Sequence, residues 1–447
     1  MRERRRQGDA RAVALKVLAR IEAHGAFAQQ ALEAECAKAG LDRRDQRLAW
    51  TLVLGVERWR RRLDDVLKPR IRRGFDRLDP VVHRILRLAV FQLQFLDRIP
   101  PRAALNTSAE LARTYVGEWA VSFVNGVLRA VLRSKYEPPV GDSPEKISVA
   151  LSHPQWLVER YYARFGAQGT RARCAANNAE APLTVRPTAA EFNRHDLMDD
   201  LIDEGARVSL TERSDHGIII EYHPDPFGSA AFVDGRWVAQ DEASQLTVEL
   251  LDPQPGESVW DVCAAPGGKT RYIAQRMGNQ GLVLATDVDA QKVEQLVHTV
   301  PETCVMVRQH DATKRLEGHG TFDRVLLDAP CTALGLLRRH PEIRWRRTIQ
   351  DIERCARQQR VLLATVSDYV KPGGILVYSV CTDFEEEGAS QIAEFLSERR
   401  DFRLMGPDEE SKKWRGVVQD GLVTLSPEKH GTDGFFMARL QRVEVNS

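Results

Sequence analysis

The stretch "ESVWDVCAAPGGKT" (residues 257–270) passes from an apolar strand, through a run of small residues, into the start of a helix. A strand, a glycine-containing turn and a helix in that order are typical of the first unit of a doubly wound α/β domain. Small residues let the backbone approach a ligand closely, and the first turn of a helix offers it free N–H groups. This stretch therefore predicts both a fold and a ligand-binding loop.

Strand and helix patterns continue to alternate downstream of this loop. The predicted strands are "ESVWDVCA", "LVLATD", "CVMVRQ", "DRVLLDAP" and "GGILVYSV", followed near the end by "GLVTL" and "GFFMARL". This alternation predicts a mainly parallel, doubly wound sheet with a late antiparallel addition. We assign this Rossmann-like domain to residues 236–447.

Two further domains are predicted upstream, which makes the protein a multidomain α/β protein. Residues 1–140 contain helical patterns with one apolar face and arginines opposite, and predict an all-α bundle. They carry 28 Lys+Arg against 16 Asp+Glu, whereas the remaining residues carry 36 against 47. A basic module indicates a polyanionic partner such as nucleic acid, although a solvated arginine-rich surface has the same composition.

Residues 146–235 mix strands with a helix and predict a small α+β domain.

Three classes of ligand compete for the glycine loop. A P-loop would need its first glycine where Cys263 stands, and no G-x-G-x-x-G fingerprint of a dinucleotide site occurs. S-adenosylmethionine is the third class, and it needs an acid on the next strand. Asp287 ends that strand 20 residues after Gly267, the separation at which a carboxylate reaches ribose hydroxyls. Asp311 follows the third strand; each aspartate alone could instead be a helix N-cap.

Two cysteines follow the next strands. Asp328 and Cys331 come after the fourth strand, and Cys381 ends "VYSVC" after the fifth. Because ligands lie outside the carboxyl ends of strands in open α/β sheets, we expect these side chains beside the cofactor loop. Two thiols beside a methyl donor indicate methyl transfer through a covalent thiolate adduct. Strand order alone leaves Cys331 and Cys381 equal candidates for the nucleophile, and either could be a buried packing thiol.

Four stretches together, "QDEASQ", "DVCAAPGGKT", "DAPCTALGLLRRHPEIRW" and "YSVCT", resemble the motifs of the Sun/Fmu (Nol/Nop/Sun) RNA cytosine-5 methyltransferases. The resemblance covers the whole chain. It implies a NusB-like RNA-binding first domain, a small RNA-recognition-like second domain, and methylation of carbon 5 of a cytosine in 16S ribosomal RNA. Thr332 and Thr382 stand where the family usually has serine, which leaves fine substrate contacts open.

The resemblance also implies roles for single residues. Cys381 would be the nucleophile, Cys331 would assist release of the methylated product, and Asp328 would position the base. The residues implied to bind S-adenosylmethionine or the base are Cys263, Ala264, Ala265, Pro266, Gly267, Gly268, Lys269, Asp287, Asp311 and Asp328.

The stretch "GLLRRHPEIRWRR" directly after Cys331 alternates arginines with a histidine and a tryptophan. Guanidinium planes and aromatic rings suit phosphates and unstacked bases, although a solvated loop with one buried tryptophan is the plainer interpretation. The residues expected to contact RNA are Arg338, Arg339, His340, Arg344 and Trp345.

The cysteine pattern and the hydropathy indicate whether the protein binds a metal, in which compartment it works and whether it meets a membrane. The seven cysteines form no C-x-x-C pair, which argues against a metal site and indicates reduced thiols in a cytoplasmic protein. No run of 18 apolar residues occurs, so no membrane partner is expected, and we expect a monomer.

Other functions stay open at this point. A related enzyme could modify tRNA or another rRNA site. An RNA-binding antitermination factor could retain the fold without catalysis, and a nicotinamide dehydrogenase is a weaker alternative.

Overall fold

A computed structural model describes residues 9–71, 74–188 and 193–443. It divides into two compact units. Unit 1 comprises Met1–Ala179 together with Leu337–Arg347, and unit 2 comprises Glu180–Leu336 together with Thr348–Ser447. The division falls after Ala179, so the first part of the predicted small domain, residues 146–179, belongs to unit 1. The first eight residues of the basic N-terminal stretch lie outside the described residues.

Unit 1 is helical, as its amphipathic patterns predict. Its helices before residue 180 are α1 (Ala10–His24), α2 (Ala28–Ala39), α3 (Arg43–Leu67), α4 (Pro80–Phe95), α5 (Pro101–Tyr115), α6 (Glu118–Arg133), α7 (Pro144–Ala150) and α8 (Gln155–Asn178). Aspartate side chains accept first-turn N–H groups at the starts of α1 and α3, namely Asp9 and Asp42. Helices α3 and α4 approach closely at Gly55, where a β-carbon would lie 1.9 Å from the Phe91 ring.

The first part of unit 2 is the small α+β domain. Its elements are β1 (Leu183–Pro187), α9 (Arg194–Asp203), β2 (Arg207–Leu210), β3 (Ile218–Tyr222), α10 (Ala230–Val233) and β4 (Trp237–Ala239). The strands form an antiparallel sheet in the order β2-β3-β1-β4. The short strand β4 was not predicted, and it leads directly into the next domain.

The rest of unit 2 is the α/β domain. Its elements are α11 (Glu242–Leu251), β5 (Ser258–Asp261), α12 (Gly268–Arg276), β6 (Leu282–Asp287), α13 (Ala290–Thr299), β7 (Val305–Gln309), β8 (Phe322–Asp328), α15 (Ile349–Ser367), β9 (Val370–Val380), α16 (Ala389–Glu398), β10 (Phe402–Leu404), β11 (Val418–Gln419), β12 (Leu422–Leu425), α17 (Pro427–His430) and β13 (Phe435–Arg442). Helix α14 (Ile343–Arg346) belongs to unit 1.

The sheet of this domain runs in the order β11-β12-β13-β9-β8-β5-β6-β7, with β10 paired to β13. The strands from β7 to β9 are parallel, and β13 joins β9 antiparallel. This confirms the predicted doubly wound sheet with a late antiparallel addition. Buried side chains such as Trp260, Leu327 and Tyr378 fill its core. Because the parallel strands point the same way, the loops after β5 to β9 meet at one edge.

Among the described residues, no helix is both long enough and apolar enough to cross a membrane.

Candidate active site

The loop between β5 and α12 is fixed by its own backbone and by β6. The N–H of Ala264 donates to Thr286 O at 2.8 Å, and the N–H of Gly267 donates to Ala264 O at 2.8 Å. Gly267 has a left-handed backbone (φ 102°), and a β-carbon there would lie 2.7 Å from Leu296 Cδ1. Glycine is therefore required on both conformational and steric grounds.

A cavity of about 350 Å³ opens beside this loop. Five of the residues predicted to bind the cofactor or base line it, namely Cys263, Ala265, Asp287, Asp311 and Asp328. The other predicted residues, Ala264, Pro266, Gly267, Gly268 and Lys269, belong to the loop and the first turn of α12 but are not among the lining side chains. The sequence reasoning missed other lining residues, which are Val262, Val288, Lys292, His310, Ala312, Thr313, Pro330, Gln358 and Leu362.

The polar groups of the cavity fit a ligand with hydroxyl groups and positive charge. Three carboxylates, Asp287, Asp311 and Asp328, face it together with Lys292. His310 also lines the cavity, and its Nε2 is buried without a hydrogen-bond partner among the described residues. A pyrophosphate would be repelled by three carboxylates, whereas the ribose hydroxyls and sulfonium of S-adenosylmethionine suit them.

Asp261 lies behind the loop and is not part of the cavity wall. Its side chain is 1% exposed, and Thr270 Oγ1 donates to its Oδ2 at 2.6 Å. The pKa of Asp261 is raised to about 7. Burial is the largest cause and the neighbouring Asp328 carboxylate adds to it, whereas the Thr270 hydrogen bond acts in the opposite direction.

Asp328 links the cofactor cavity to the last parallel strand. Its Oδ2 accepts from Lys269 Nζ at 2.6 Å, and its Oδ1 accepts from Ser379 Oγ at 2.7 Å. Burial alone would lower the pKa of Lys269, but the Asp328 carboxylate outweighs it, so the pKa is raised and Lys269 stays charged. The structure thus brings one cation and one anion to the ends of β8 and β9.

Cys331 and Cys381, each of which follows the end of its strand, have their Sγ atoms 3.1 Å apart. Both thiols are partly exposed. The hydrogen bond that the two thiols share, together with burial, raises the pKa of Cys331 well above its usual value, so Cys331 keeps its proton near neutral pH. The backbone holds the pair together, since the N–H of Gly335 donates to Cys381 O at 3.0 Å. Cys36, Cys174, Cys304 and Cys355 are buried.

Glu387 holds the loop after Cys331 in place, and the sequence reasoning missed it. It is fully buried, and its carboxylate accepts from the Thr332 N–H at 2.8 Å and from Gln359 Nε2 at 3.0 Å. Thr332 Oγ1 donates to the other carboxylate oxygen. The only sequence signal was a run of three glutamates after the Cys381 loop, which is the pattern of an exposed surface.

The stretch expected to contact RNA, Leu337–Arg347, belongs to unit 1. Arg344 is fully buried there, and its guanidinium donates to Asn178 Oδ1 at 2.7 Å, Ser152 O at 3.1 Å and Asn177 O at 3.2 Å. Trp345 Nε1 donates to Glu57 O at 2.6 Å.

Arg338 is also buried, at 6% exposure. Because a buried guanidinium cannot reach a phosphate, we withdraw Arg338 and Arg344 from the expected RNA surface. Arg339, His340 and Trp345 are partly exposed and stay predictions.

Comparison with family models divides the chain into three consecutive matches. The model described as 16S rRNA methyltransferase RsmB/F matches residues 248–441. The NusB family matches residues 8–133, and the ferredoxin-like domain of RsmF/B-like methyltransferases matches residues 153–225.

Curated relatives align along nearly the whole chain. A probable ribosomal RNA small subunit methyltransferase B of Synechocystis is 32% identical over 442 residues, which is 97% of this chain and 99% of the relative. The ribosomal RNA small subunit methyltransferase B of Pseudomonas putida is 31% identical over 98% of this chain and 99% of its own length.

Among solved structures, the protein PH0851 is similar with a TM-score of 0.82 and 27% identity, over 97% of this chain and 98% of that one. A methyltransferase homolog protein from Pyrococcus horikoshii has a TM-score of 0.59 and 27% identity, over 68% of this chain and all of its own.

Proposed function

The chain belongs to the RsmB/F family of 16S rRNA methyltransferases, and we propose that it methylates carbon 5 of a cytosine in small-subunit ribosomal RNA, with S-adenosylmethionine as the methyl donor. The observation that carries this proposal is the pair of sulfurs, Cys331 and Cys381, 3.1 Å apart. Neither thiol lines the acidic cavity, but Pro330, directly before Cys331, and Asp328, bonded to Ser379, do. A binding protein has no need of two adjacent thiols at the carboxyl edge of its sheet.

Two thiols at this position support a covalent route. Carbon 5 of cytosine is a weak nucleophile. A bond from the Cys381 sulfur to carbon 6 pushes electron density to carbon 5, which can then accept a methyl group. When bound, S-adenosylmethionine supplies that methyl group on a positively charged sulfur. Methyl transfer breaks the methyl–sulfonium bond and leaves S-adenosylhomocysteine. Release follows when solvent takes the proton from carbon 5, the double bond between carbons 5 and 6 re-forms, and the Cys381 sulfur leaves carbon 6 as a thiolate to which the neutral Cys331 thiol can donate a hydrogen bond.

The environments of the two thiols favour different roles. The thiolate is the reactive form of cysteine, and a nearby cation favours it. Lys269, which Asp328 holds near the ends of β8 and β9, keeps its own proton and is the cation of this site. Cys331 is held as a neutral thiol by its hydrogen bond with Cys381 and by burial. We therefore propose Cys381 as the nucleophile and Cys331 as the group that assists release.

Asp328 is proposed to position the target base. It lines the cofactor cavity and also accepts from Ser379, two residues before Cys381. A carboxylate there can accept a hydrogen bond from the cytosine amino group and so orient carbon 6 toward the thiol. A base enters such a crevice only when it is unstacked, so the target is a flipped or single-stranded cytosine.

A non-catalytic RNA-binding factor is the second candidate, because the NusB family model matches residues 8–133. Incubation of the pure protein with methyl-labelled S-adenosylmethionine and unmodified small-subunit RNA separates the two. Label found in 5-methylcytidine after nuclease digestion supports the enzyme. RNA binding without any transfer would overturn it, and label on bulk tRNA instead would redirect the substrate.

Trapping of the adduct tests the roles of the thiols. We expect Cys331→Ala to accumulate a denaturation-resistant protein–RNA adduct and Cys381→Ala to form none. Cys304→Ala, which removes a buried thiol directly before β7, three strands away from β8 in the sheet, is the matched control and should behave like the wild type. An adduct in Cys381→Ala that is absent from Cys331→Ala would reverse the assignment.

A further inference from the structure

A buried arginine of the small domain reaches the cofactor loop of the α/β domain. Arg186 lies on β1 and is 1% exposed. Its Nη2 donates to Gly268 O at 3.1 Å, and its Nη1 donates to Gln275 Oε1 at 2.6 Å and Pro187 O at 3.0 Å. Its Nε donates to Gln240 Oε1. Gly268 and Gln275 both belong to α12, the helix that the cofactor loop opens.

The chemistry of this contact is unusual for a buried cation. Each of these hydrogen-bond acceptors is a neutral oxygen, and the guanidinium carbon lies 4.4 Å from the centre of the Tyr272 ring. Burial lowers the pKa of Arg186 to about 10, so it remains charged at neutral pH. Burying a charge without a carboxylate partner costs stability unless its donors are well satisfied. Because Nε, Nη1 and Nη2 of Arg186 all have acceptors, the contact is a built feature of the domain junction.

Gln240 extends the same contact on the other side of the guanidinium. Its N–H donates to Thr184 O on β1 at 3.0 Å, and its own carbonyl accepts from Gln245 Nε2 at 2.9 Å. Gln240 opens the "QDEASQ" stretch, one of the four motifs that resemble the family. Arg186 and Gln240 thus join the small sheet, the start of α11 and the first turn of α12.

We propose that Arg186 is a positioning residue for the cofactor loop, so that the small domain sets the affinity for the methyl donor. The Gly268 carbonyl belongs to the first turn of α12, next to Gly267, where the loop turns. A donor fixed on that carbonyl fixes the orientation of the Gly268–Lys269 peptide unit, and with it the end of the loop whose residues Cys263 and Ala265 line the cavity. This inference rests on the proposed function, because S-adenosylmethionine is the ligand whose binding it explains.

Arg213 offers a matched control. It also lies in the small domain, is 9% exposed, and its Nη1 donates to two carbonyls of the α/β domain, Lys413 O and Arg415 O, both at 3.0 Å. Neither carbonyl belongs to the cofactor loop. Substitution of Arg186 or Arg213 by methionine therefore removes a comparable domain-bridging contact, but only the first contact touches α12.

The test measures binding of S-adenosylmethionine to the full chain by calorimetry, binding of small-subunit RNA, and thermal stability. We expect Arg186→Met to raise the Kd for S-adenosylmethionine at least about tenfold, since hydrogen bonds to a charged group are lost. RNA affinity should change less than about twofold, and Arg186→Lys should recover part of the cofactor affinity. Arg213→Met should lower the melting temperature and leave the cofactor Kd within about twofold.

The outcomes separate this inference from the proposed function. Failure of the wild type to bind S-adenosylmethionine would refute the proposed cofactor. Normal binding by the wild type and by Arg186→Met would refute the positioning role alone. Equal losses of cofactor affinity in the Arg186 and Arg213 variants would reduce Arg186 to a general structural contact, which also refutes the inference.

Discussion

The sulfur atoms of Cys331 and Cys381 lie 3.1 Å apart, although 50 residues separate them in the chain. The pairing of β8 with β9 brings them together, since Asp328 at the end of β8 is opposite Ser379 of β9. Each cysteine follows its strand closely, so register in the sheet sets the distance between the thiols. Two consequences of this closeness can be measured directly.

Mild oxidation should inactivate the enzyme reversibly. Two thiols at this distance need to approach by only about 1 Å to form a disulfide, with diamide taking up both hydrogens. We expect loss of methyl transfer, loss of two hydrogens in the peptide pair that carries Cys331 and Cys381, and recovery with dithiothreitol. In Cys331→Ser the same treatment should form no such bond. Inactivation by diamide without a linked peptide pair would contradict the prediction.

Cys331 should react faster with iodoacetamide once Cys381 is removed. The hydrogen bond that Cys331 shares with Cys381 is the largest cause of the raised pKa of Cys331. Its loss lowers that pKa, which increases the thiolate fraction at pH 8 and thus the alkylation rate. Mass spectrometry of Cys381→Ala against wild type measures the change.

The thiol of Cys174, buried in unit 1, is the internal reference for this comparison. Its alkylation rate should be the same in both proteins. A rate for Cys331 that stays unchanged or falls in Cys381→Ala would show that burial, not the neighbouring thiol, controls its reactivity.

Substitution of Arg344 should lower the stability of the fold, whereas substitution of Arg339 should weaken RNA binding. Arg344→Met leaves Asn178 Oδ1, Ser152 O and Asn177 O without their donor. This should lower the free energy of unfolding by about 3 kcal/mol or more. Denaturant unfolding and hydrogen exchange of the α8 amides would detect this loss. Arg339→Met should cost less than about 1 kcal/mol, but weaken RNA binding and reduce its salt dependence by about one phosphate contact. Equal stability of the two variants would contradict the burial of Arg344.

The contrast between these arginines shows what the sequence could predict. Strands, the glycine loop and the two thiols follow from local patterns, because hydrophobic alternation and strand ends are properties of neighbouring residues. Arg344 bonds to a residue 166 positions away, and Arg186 to one 82 positions away. Nothing around "RRHPEIRW" or "LTVRP" distinguishes an arginine that faces solvent from a buried arginine that forms hydrogen bonds to another helix or another domain. Glu387 escaped prediction for the same reason.

Asp261 should make stability depend on pH between about 4 and 7. Its pKa rises from the ordinary 3.8 to about 7 in the folded protein. Below pH 4 the carboxyl is protonated in both folded and unfolded states. As pH rises to 7, the unfolded chain releases this proton while the folded protein holds it, so the free energy of unfolding falls by up to about 4 kcal/mol.

Asp261→Asn removes this fall in the free energy of unfolding, because the amide stays neutral and its oxygen can still accept a hydrogen bond from Thr270. The difference in unfolding free energy, variant minus wild type, should therefore grow from pH 4 to pH 7 and then level off.

Asp323 is the control with the opposite sign. Burial raises its pKa, but the hydrogen bonds from Lys371 and Ser258 outweigh it and lower the pKa to about 2. In Asp323→Asn the difference should instead change below about pH 4, where the wild-type carboxylate loses its advantage. A flat difference for Asp261→Asn would mean that this carboxyl is ionised in the folded protein.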